Sequence, residues 1–386
     1  MSDINSAIPP PLPPTLIRTT PAPPPPPPPM PDTPRYKAWK KIGDGTYGAV
    51  YRVFDVETNL FAAVKVTEKH YNKYAKQHLV SPESRREFDA LKKLKDTKHP
   101  NIVIIRDVFE TKETVNLVMD YLATDLRRWI AHQVRKMCVI SIGTIKSIMF
   151  QLISAIHVCH SNGIFHRDVK PANVLIDSAG KNIKLADFGM SRRRDAATLT
   201  PQMITLYYRG PEVLLGQSAY GCPVDLWAAG CVLAEILNDG LILFGLPEEK
   251  EDPEPHSKEE EPQALRDAQL SCIFSKLGTP TDWPAWEAEP DENGNVISLP
   301  ATPVEQLVPS LIHDPDGMDL FRRLLCFNPA KRISAYDALQ HPWFEGVAGY
   351  KKQSKITEFY TKKRAAGETM QSEAKEVKVD DELNTK

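Results

Sequence analysis

The chain has 386 residues, of which 41% are hydrophobic and 25% charged, with a formal net charge of −2. Those values allow a sizeable core in one two-lobed unit with tails or in two or three smaller domains. The near-neutral balance lacks the strongly basic face of a nucleic-acid binder, and no uninterrupted run of 18 apolar residues marks a membrane span, so neither partner is expected.

Residues 1–35 are read as a tail: the first 34 hold fifteen of the chain's 34 prolines, including the unbroken run Pro23–Pro29. Proline has a fixed φ and no amide donor, so this segment suits a solvated polyproline II conformation, as a plain linker or as a ligand for aromatic grooves. No apolar leader stretch precedes it, and the expected setting is intracellular. The six cysteines include no C-x-x-C pair, which points to free thiols, mostly buried, rather than a metal site or disulfide framework.

A folded unit is expected over 36–346, β-rich at 36–121 and mainly helical at 125–346. Gly43-Asp44-Gly45-Thr46-Tyr47-Gly48-Ala49-Val50 gives G-x-G-x-x-G-x-V. Val50–Val53 and Phe61–Val66 alternate like strands, so the glycines form a hairpin turn rather than the strand-to-helix turn of a dinucleotide fold. Without Cβ atoms, Gly43, Gly45 and Gly48 let the backbone close over phosphates. Lys65 falls on the third strand among Ala62, Ala63 and Val64, and Glu87 is its candidate partner. Glu87, Phe88, Leu91 and Leu94 lie at helical spacing within 82–96, with Ser81-Pro82 as cap and first turn.

In the larger lobe, Ile145, Ile148, Met149, Leu152, Ile153, Ile156 and His160 trace one helix face, and a second helix is predicted from Val224 to about Leu237. Between them stands His166-Arg167-Asp168-Val169-Lys170-Pro171-Ala172-Asn173, followed nineteen residues after its Asp by Asp187-Phe188-Gly189. The pair supplies a carboxylate base (Asp168), a phosphate-facing cation (Lys170) and two oxygen ligands for a hard cation, Asn173 and Asp187. That is the equipment for moving a phosphoryl group from a magnesium-bound nucleotide to a hydroxyl. Glu212, a carboxylate expected to be buried, needs a partner, and Arg332 is the candidate. Residues 247–262 read as an acidic, proline-punctuated surface loop, and 347–386 as a charged, flexible tail.

Together these motifs resemble the eukaryotic protein kinases, a bilobal α+β fold. Within them, Gly43–Gly48, Asp125-Leu-Arg-Arg128, Lys184-Leu-Ala-Asp-Phe-Gly189, Thr205-Leu-Tyr-Tyr-Arg209, Leu277-Gly-Thr-Pro280 and Lys331-Arg-Ile-Ser-Ala335 resemble the cyclin-dependent kinases. The resemblance implies a serine/threonine kinase that phosphorylates hydroxyls before proline, with ATP and Mg2+ as cofactors and a cyclin and protein substrates as partners. It implies an adenine site between Ile42, Val50 and Ala63 above and Leu175 below, with Met119 as gatekeeper and the backbone of Asp120 and Leu122 as hinge. It further implies an activating phosphothreonine at Thr200, clamped by Arg86, Arg167 and Arg192, and inhibitory sites at Thr46 and Tyr47, which otherwise are a hairpin tip.

The chain departs from that pattern in places. Ser81-Pro-Glu-Ser-Arg-Arg-Glu87 stands where the cyclin-facing helix usually reads PSTAIRE, Pro201 follows Thr200, and Gly210 replaces an alanine. The acidic insertion and Pro201 are similar to Mediator-associated cyclin-dependent kinases, which lack the threonine. Thr198-Leu-Thr200 in place of Thr-x-Tyr argues against a mitogen-activated kinase. A pseudokinase scaffold is disfavoured because the whole phosphotransfer set is present.

Finally, Gln353-Ser-Lys-Ile356-Thr-Glu-Phe359-Tyr360 resembles the box that docks replication proteins onto the sliding clamp, PCNA. One 3₁₀ turn brings Ile356, Phe359 and Tyr360 to one side as an apolar plug, with Gln353 beside it. The alternative is that these side chains dock the tail back onto the kinase lobe. Lys362-Lys363-Arg364 offers a weak nuclear signal, and nuclear and cytoplasmic residence is expected.

Overall fold

Burial along residues 50–55 follows the two-residue period of a pleated sheet. The computed structural model describes residues 33–45, 48–72, 77–193, 205–217, 221–246, 263–283, 286 and 298–350. Strands β1 (Tyr36–Gly45), β2 (Gly48–Asp55) and β3 (Leu60–Glu68) form an antiparallel meander. On β3, Ala62, Val64 and Val66 enter a small upper core with Tyr36, Tyr51, Val53 and Val118. The alternate residues Ala63, Lys65 and Thr67 are also buried, on the opposite face.

A short hairpin, β4 (His70–Asn72) and β5 (Gln77–Leu79), interrupts the path to the first helix, α1 (Pro82–Lys95). No periodicity announced that hairpin. The helix start is as read: the Ser81 hydroxyl accepts the Ser84 N–H at 3.2 Å, and Pro82 takes the first turn, where its missing N–H is not needed. Ala90, Leu91 and Leu94 of α1 join the main core. Strands β6 (Ile105–Glu110) and β7 (Thr114–Asp120) complete a five-stranded sheet in the order β1-β2-β3-β7-β6.

After a short linker, β8 (Thr124–Asp125) leads into α2 (Leu126–Arg135), whose first turn is capped by Asp125 accepting the Arg128 N–H at 2.9 Å. Next comes α3 (Ile142–Ser161), long and apolar enough to cross a membrane, with a mean hydropathy of 1.5. It is instead a core helix of the large lobe: the predicted face from Ile145 to Ile156 is buried there. Strand β9 (Ile164–Phe165), a 3₁₀ turn at Pro171–Asn173, β10 (Val174–Ile176), β11 (Ile183–Leu185) and β12 (Arg192–Arg193) frame the loops between the lobes. They pair as a three-stranded sheet β11-β10-β8 and a ladder β12-β9.

Helix α4 (Pro211–Leu214) precedes α5 (Pro223–Leu237), the helix predicted from Val224. Every residue of α5 from Val224 to Leu237 is buried, so it has no polar stripe and runs through the lobe as an axle. Helices α6 (Gln263–Leu277), α7 (Val304–Leu307), α8 (Pro315–Leu324) and α9 (Ala335–Leu339) close the lobe. All six thiols are free, but only Cys159 and Cys231 are fully buried, and Cys138 is exposed, which corrects the expectation of mostly buried cysteines. The acidic segment 247–262 and the tail motif lie outside the described residues.

Candidate active site

Lys65 reaches across from β3 to Glu87 of α1 with an Nζ–Oε2 separation of 2.6 Å, and the two side chains are 4% and 2% exposed. Its ammonium also lies 3.4 Å from Asp187 Oδ1. Burial opposes the charge of Lys65, but the two carboxylates outweigh it and raise its pKa above the ordinary value. The cation is therefore held charged inside the cleft, beside a second carboxylate.

Asp187 adopts φ 60°, and Arg167 of the opposing loop φ 68°. Left-handed backbone at a non-glycine residue costs on the order of 1–3 kcal/mol and persists only where the surroundings impose it. For Arg167 the cause is Asp225 of α5, whose carboxylate accepts the N–H of His166 at 2.9 Å and of Arg167 at 2.7 Å. His160 binds the same carboxylate at 2.8 Å. Burial opposes both charges of that pair, yet the contact raises His160 to about 9 and lowers Asp225 below the carboxylate range. Asp187 is set by its neighbour: Phe188 is fully buried, its ring 4.7 Å from that of His166, and His166 in turn contacts the Ala186 carbonyl at 3.0 Å. With Phe188 anchored in the core, Asp187 faces the cleft. Burial alone would raise its carboxyl, but Lys65, His166 and Lys170 outweigh that and lower its pKa.

Asp168 is oriented from three sides. Asn173 donates Nδ2 to its Oδ2 at 2.7 Å and to its backbone carbonyl at 2.8 Å, Thr205 donates its hydroxyl to Oδ1 at 2.8 Å, and Lys170 lies 3.1 Å from Oδ2. Lys170 also donates to the Thr205 hydroxyl at 2.6 Å, closing a ring of Asp168, Thr205 and Lys170. With Nδ2 of Asn173 engaged, its Oδ1 is the atom left for a cation. That amide oxygen and the Asp187 carboxylate are hard oxygen donors, which fits magnesium, and no His/Cys/Asp/Glu cluster of three or more suited to a metal occurs among the described residues.

Above the cleft, Ile42 lies on β1 and Val50 on β2, while Ala63 of β3 pairs with Met119 of β7. Leu175 sits below on β10. Near the end of β1 Gly43 pairs with Val50 and Gly45 with Gly48, which faces a hard limit: a Cβ there would sit 2.3 Å from the Val66 carbonyl oxygen. At the linker, the Asp120 carboxylate accepts from Arg106 at 2.8 Å and pairs with Lys184 of β11 at 3.0 Å, a tie between the lobes ahead of Leu122.

The protein kinase domain family matches residues 36–344. The chain belongs to that family. Among curated proteins it is similar to cell division control protein 2 homolog 2 of Trypanosoma brucei brucei, 37% identical over 317 residues, covering 81% of this chain and 83% of the relative. Homolog 1 of the same organism is 35% identical over 324 residues, covering 80% and 98%. The protein is a serine/threonine protein kinase of the cyclin-dependent type.

The kinase thus brings together Lys65, Glu87, Asp168, Lys170, Asn173 and Asp187, all singled out in the sequence. Glu212 is fully buried and meets Arg332 as a fork, with separations of 2.6 and 2.9 Å. Arg192 pairs with Phe165 across the β12–β9 ladder, two residues before Arg167, and Arg86 precedes Glu87 on α1. Thr46, Tyr47, Thr200, Gln353, Ile356, Phe359 and Tyr360 lie outside the described residues. Three site residues had no assigned role in the sequence: Thr205, Asp225 and His160. Asp225 carried a signal, the one carboxylate in the apolar stretch 223–234 of α5.

Proposed function

We propose that the cleft transfers the γ-phosphoryl group of ATP to serine or threonine hydroxyls followed by proline in protein substrates. The observation that carries this is the closed Lys65–Glu87 pair beside Asp187, with Asp168 held by Asn173, Thr205 and Lys170. Lys65 holds the α- and β-phosphates, and Glu87 fixes its position. Asp168 accepts the proton of the substrate hydroxyl and orients its oxygen for in-line attack, while Lys170 offsets charge on the transferring group. Asn173 and Asp187 would hold magnesium, which would supply positive charge against that of the phosphates. The nucleotide base lies between Ile42, Val50, Ala63 and Leu175, against Met119, with the backbone of Asp120 and Leu122 as its edge contacts.

Regulation by a cyclin and by phosphate on Thr200, clamped by Arg86, Arg167 and Arg192, belongs to the same reading, as do inhibitory phosphates at Thr46 and Tyr47. Its support is that Arg167 and Glu87 lie on the two segments such a clamp must join, the catalytic loop and α1. A role in cell-cycle or replication control, in nucleus and cytoplasm, fits the tail motif, for which residues 353–360 are the proposed contact with the clamp PCNA.

The test is phosphotransfer to a Ser-Pro peptide by the full chain with its co-purified partner, against Asp187→Asn. Loss of at least about a hundredfold is expected, and equal rates would overturn the enzyme assignment. A peptide of residues 350–366 is expected to bind the clamp, and Phe359→Ala with Tyr360→Ala to abolish that binding. Unchanged binding would remove the clamp proposal alone.

A further inference from the structure

Between the end of α2 and the start of α3, the large lobe exposes apolar side chains that its own fold leaves uncovered. Val134 is 42% exposed, Met137 88%, Val139 94% and Ile142 39%, four large apolar residues within nine positions. They border a cavity of about 440 Å³ whose floor includes Ile145 of α3 and Ile236 of α5. Met137 adds a conformational cost. It follows the α2 cap with φ 54°, in the left-handed place where glycine usually ends a helix, and there it holds a long thioether in solvent. Contiguous exposed apolar surface of this kind marks a contact site.

The chain itself ends its described course nearby. Gly349 rests on α3, where a Cβ would lie 3.3 Å from the Phe150 ring. Tyr350 reaches the Gln340 carbonyl at 3.4 Å. Burial and the neighbouring carboxylates of Glu345 and Asp316 raise its phenol, which places those charges beside the exit. On the same helix as Phe150, Lys146 lies 5.5 Å above the Trp343 ring and 3.5 Å from Asp314, and its neighbour Ile145 lines the cavity with Ser310. Phe150 to Ile145 is only ~7.5 Å along a helix. The six residues from Tyr350 to Ile356 extend up to ~20 Å, and the ten to Tyr360 up to ~33 Å.

We propose that this groove is the seat of the chain's own C-terminal segment, with Ile356, Phe359 and Tyr360 filling the cavity behind Met137 and Val139. Charge sets the direction. Lys351, Lys352 and Lys355 leave over Glu345 and Asp316, and Glu358 arrives at Arg135 and Lys136 beside the groove. The short tether supplies an effective concentration in the millimolar range, so a contact too weak to hold a free peptide still closes on its own chain. The proposal rests on neither the phosphotransfer nor the clamp reading, although the same three side chains cannot serve groove and clamp at once.

Cys138, exposed and lining the cavity, is a built-in reporter. Its alkylation by N-ethylmaleimide, resolved from the other five cysteines by peptide mass spectrometry, is measured on the full-length kinase at about 1 μM. The proposal expects wild type to react at least about fivefold more slowly than Phe359→Ala/Tyr360→Ala, and Val139→Asp, at a solvent-facing position, to gain the fast rate. Equal rates in all three proteins overturn it. Protection that appears only as wild-type concentration is raised about a hundredfold also overturns it, because the groove then belongs to a second copy.

Discussion

The buried charges anchored at α5 and the buried pair at the cleft are held in different ways. In the large lobe, Asp225 receives two backbone N–H groups and His160, and Arg332 adds the carbonyls of Pro223, Cys326 and Phe327 to its fork with Glu212. Each charge is fixed by several partners on elements packed around α5. In the small lobe, Glu87 meets Lys65 across one contact, carried by a helix that follows a hairpin rather than a rigid core element. Redundant anchoring gives a site that does not move, whereas a single buried contact gives one that can be opened and closed.

The sharpest way to break this comparison is at Glu212. Glu212→Gln leaves the charge of Arg332 buried without its counter-charge, with an expected loss of about 3–5 kcal/mol, or roughly 10 °C in thermal denaturation. Replacing both partners by Met is expected to recover more than half of that loss, since no lone charge then stays buried. A Glu212→Gln melt within about 2 °C of wild type would show that the fork is not the anchor described.

Glu87→Gln tests the opposite lobe. Lys65 keeps Asp187, so the melting temperature is expected to fall by less than half as much, while kcat drops about a hundredfold, near 3 kcal/mol of transition-state binding. The contrast between the two sites is lost if stability and turnover fall in step.

The smallest effect is a matter of pH. His160 has its folded pKa raised from 6.5 to about 9. The stability it contributes is therefore fully present below about pH 6.5 and lost as pH rises through 9. Wild type should lose on the order of 2 kcal/mol more than His160→Gln between pH 7 and 10. Parallel melting curves across that range would mean that His160 is not charged at neutral pH.

Much of this was legible in the chain. Side-chain period exposed β3, α1 and α3, because each presents a buried face at the spacing its geometry requires, and the cleft residues Lys65, Glu87, Asp168, Asn173 and Asp187 stood out by residue type at fixed spacings. The hairpin β4–β5 escaped, since its three-residue strands are too short to carry a pattern. α5 was found, but its axle-like role was hidden: a helix apolar on all sides has no face to read. Thr205 was missed because a hydroxyl working on another residue's side chain shows only in three dimensions, and Asp225 showed itself only as a carboxylate in an apolar stretch, without the loop it holds.

At Gly210 this packing leaves no room for a side chain. A methyl group at that position would stand 2.5 Å from Glu212 Oε2, inside van der Waals contact. An alanine there is thus not a neutral exchange in this molecule. The intruding carbon would have to turn the carboxylate out of line with a guanidinium 120 positions downstream, so the smallest side chain here is matched to an arginine near the far end of the domain.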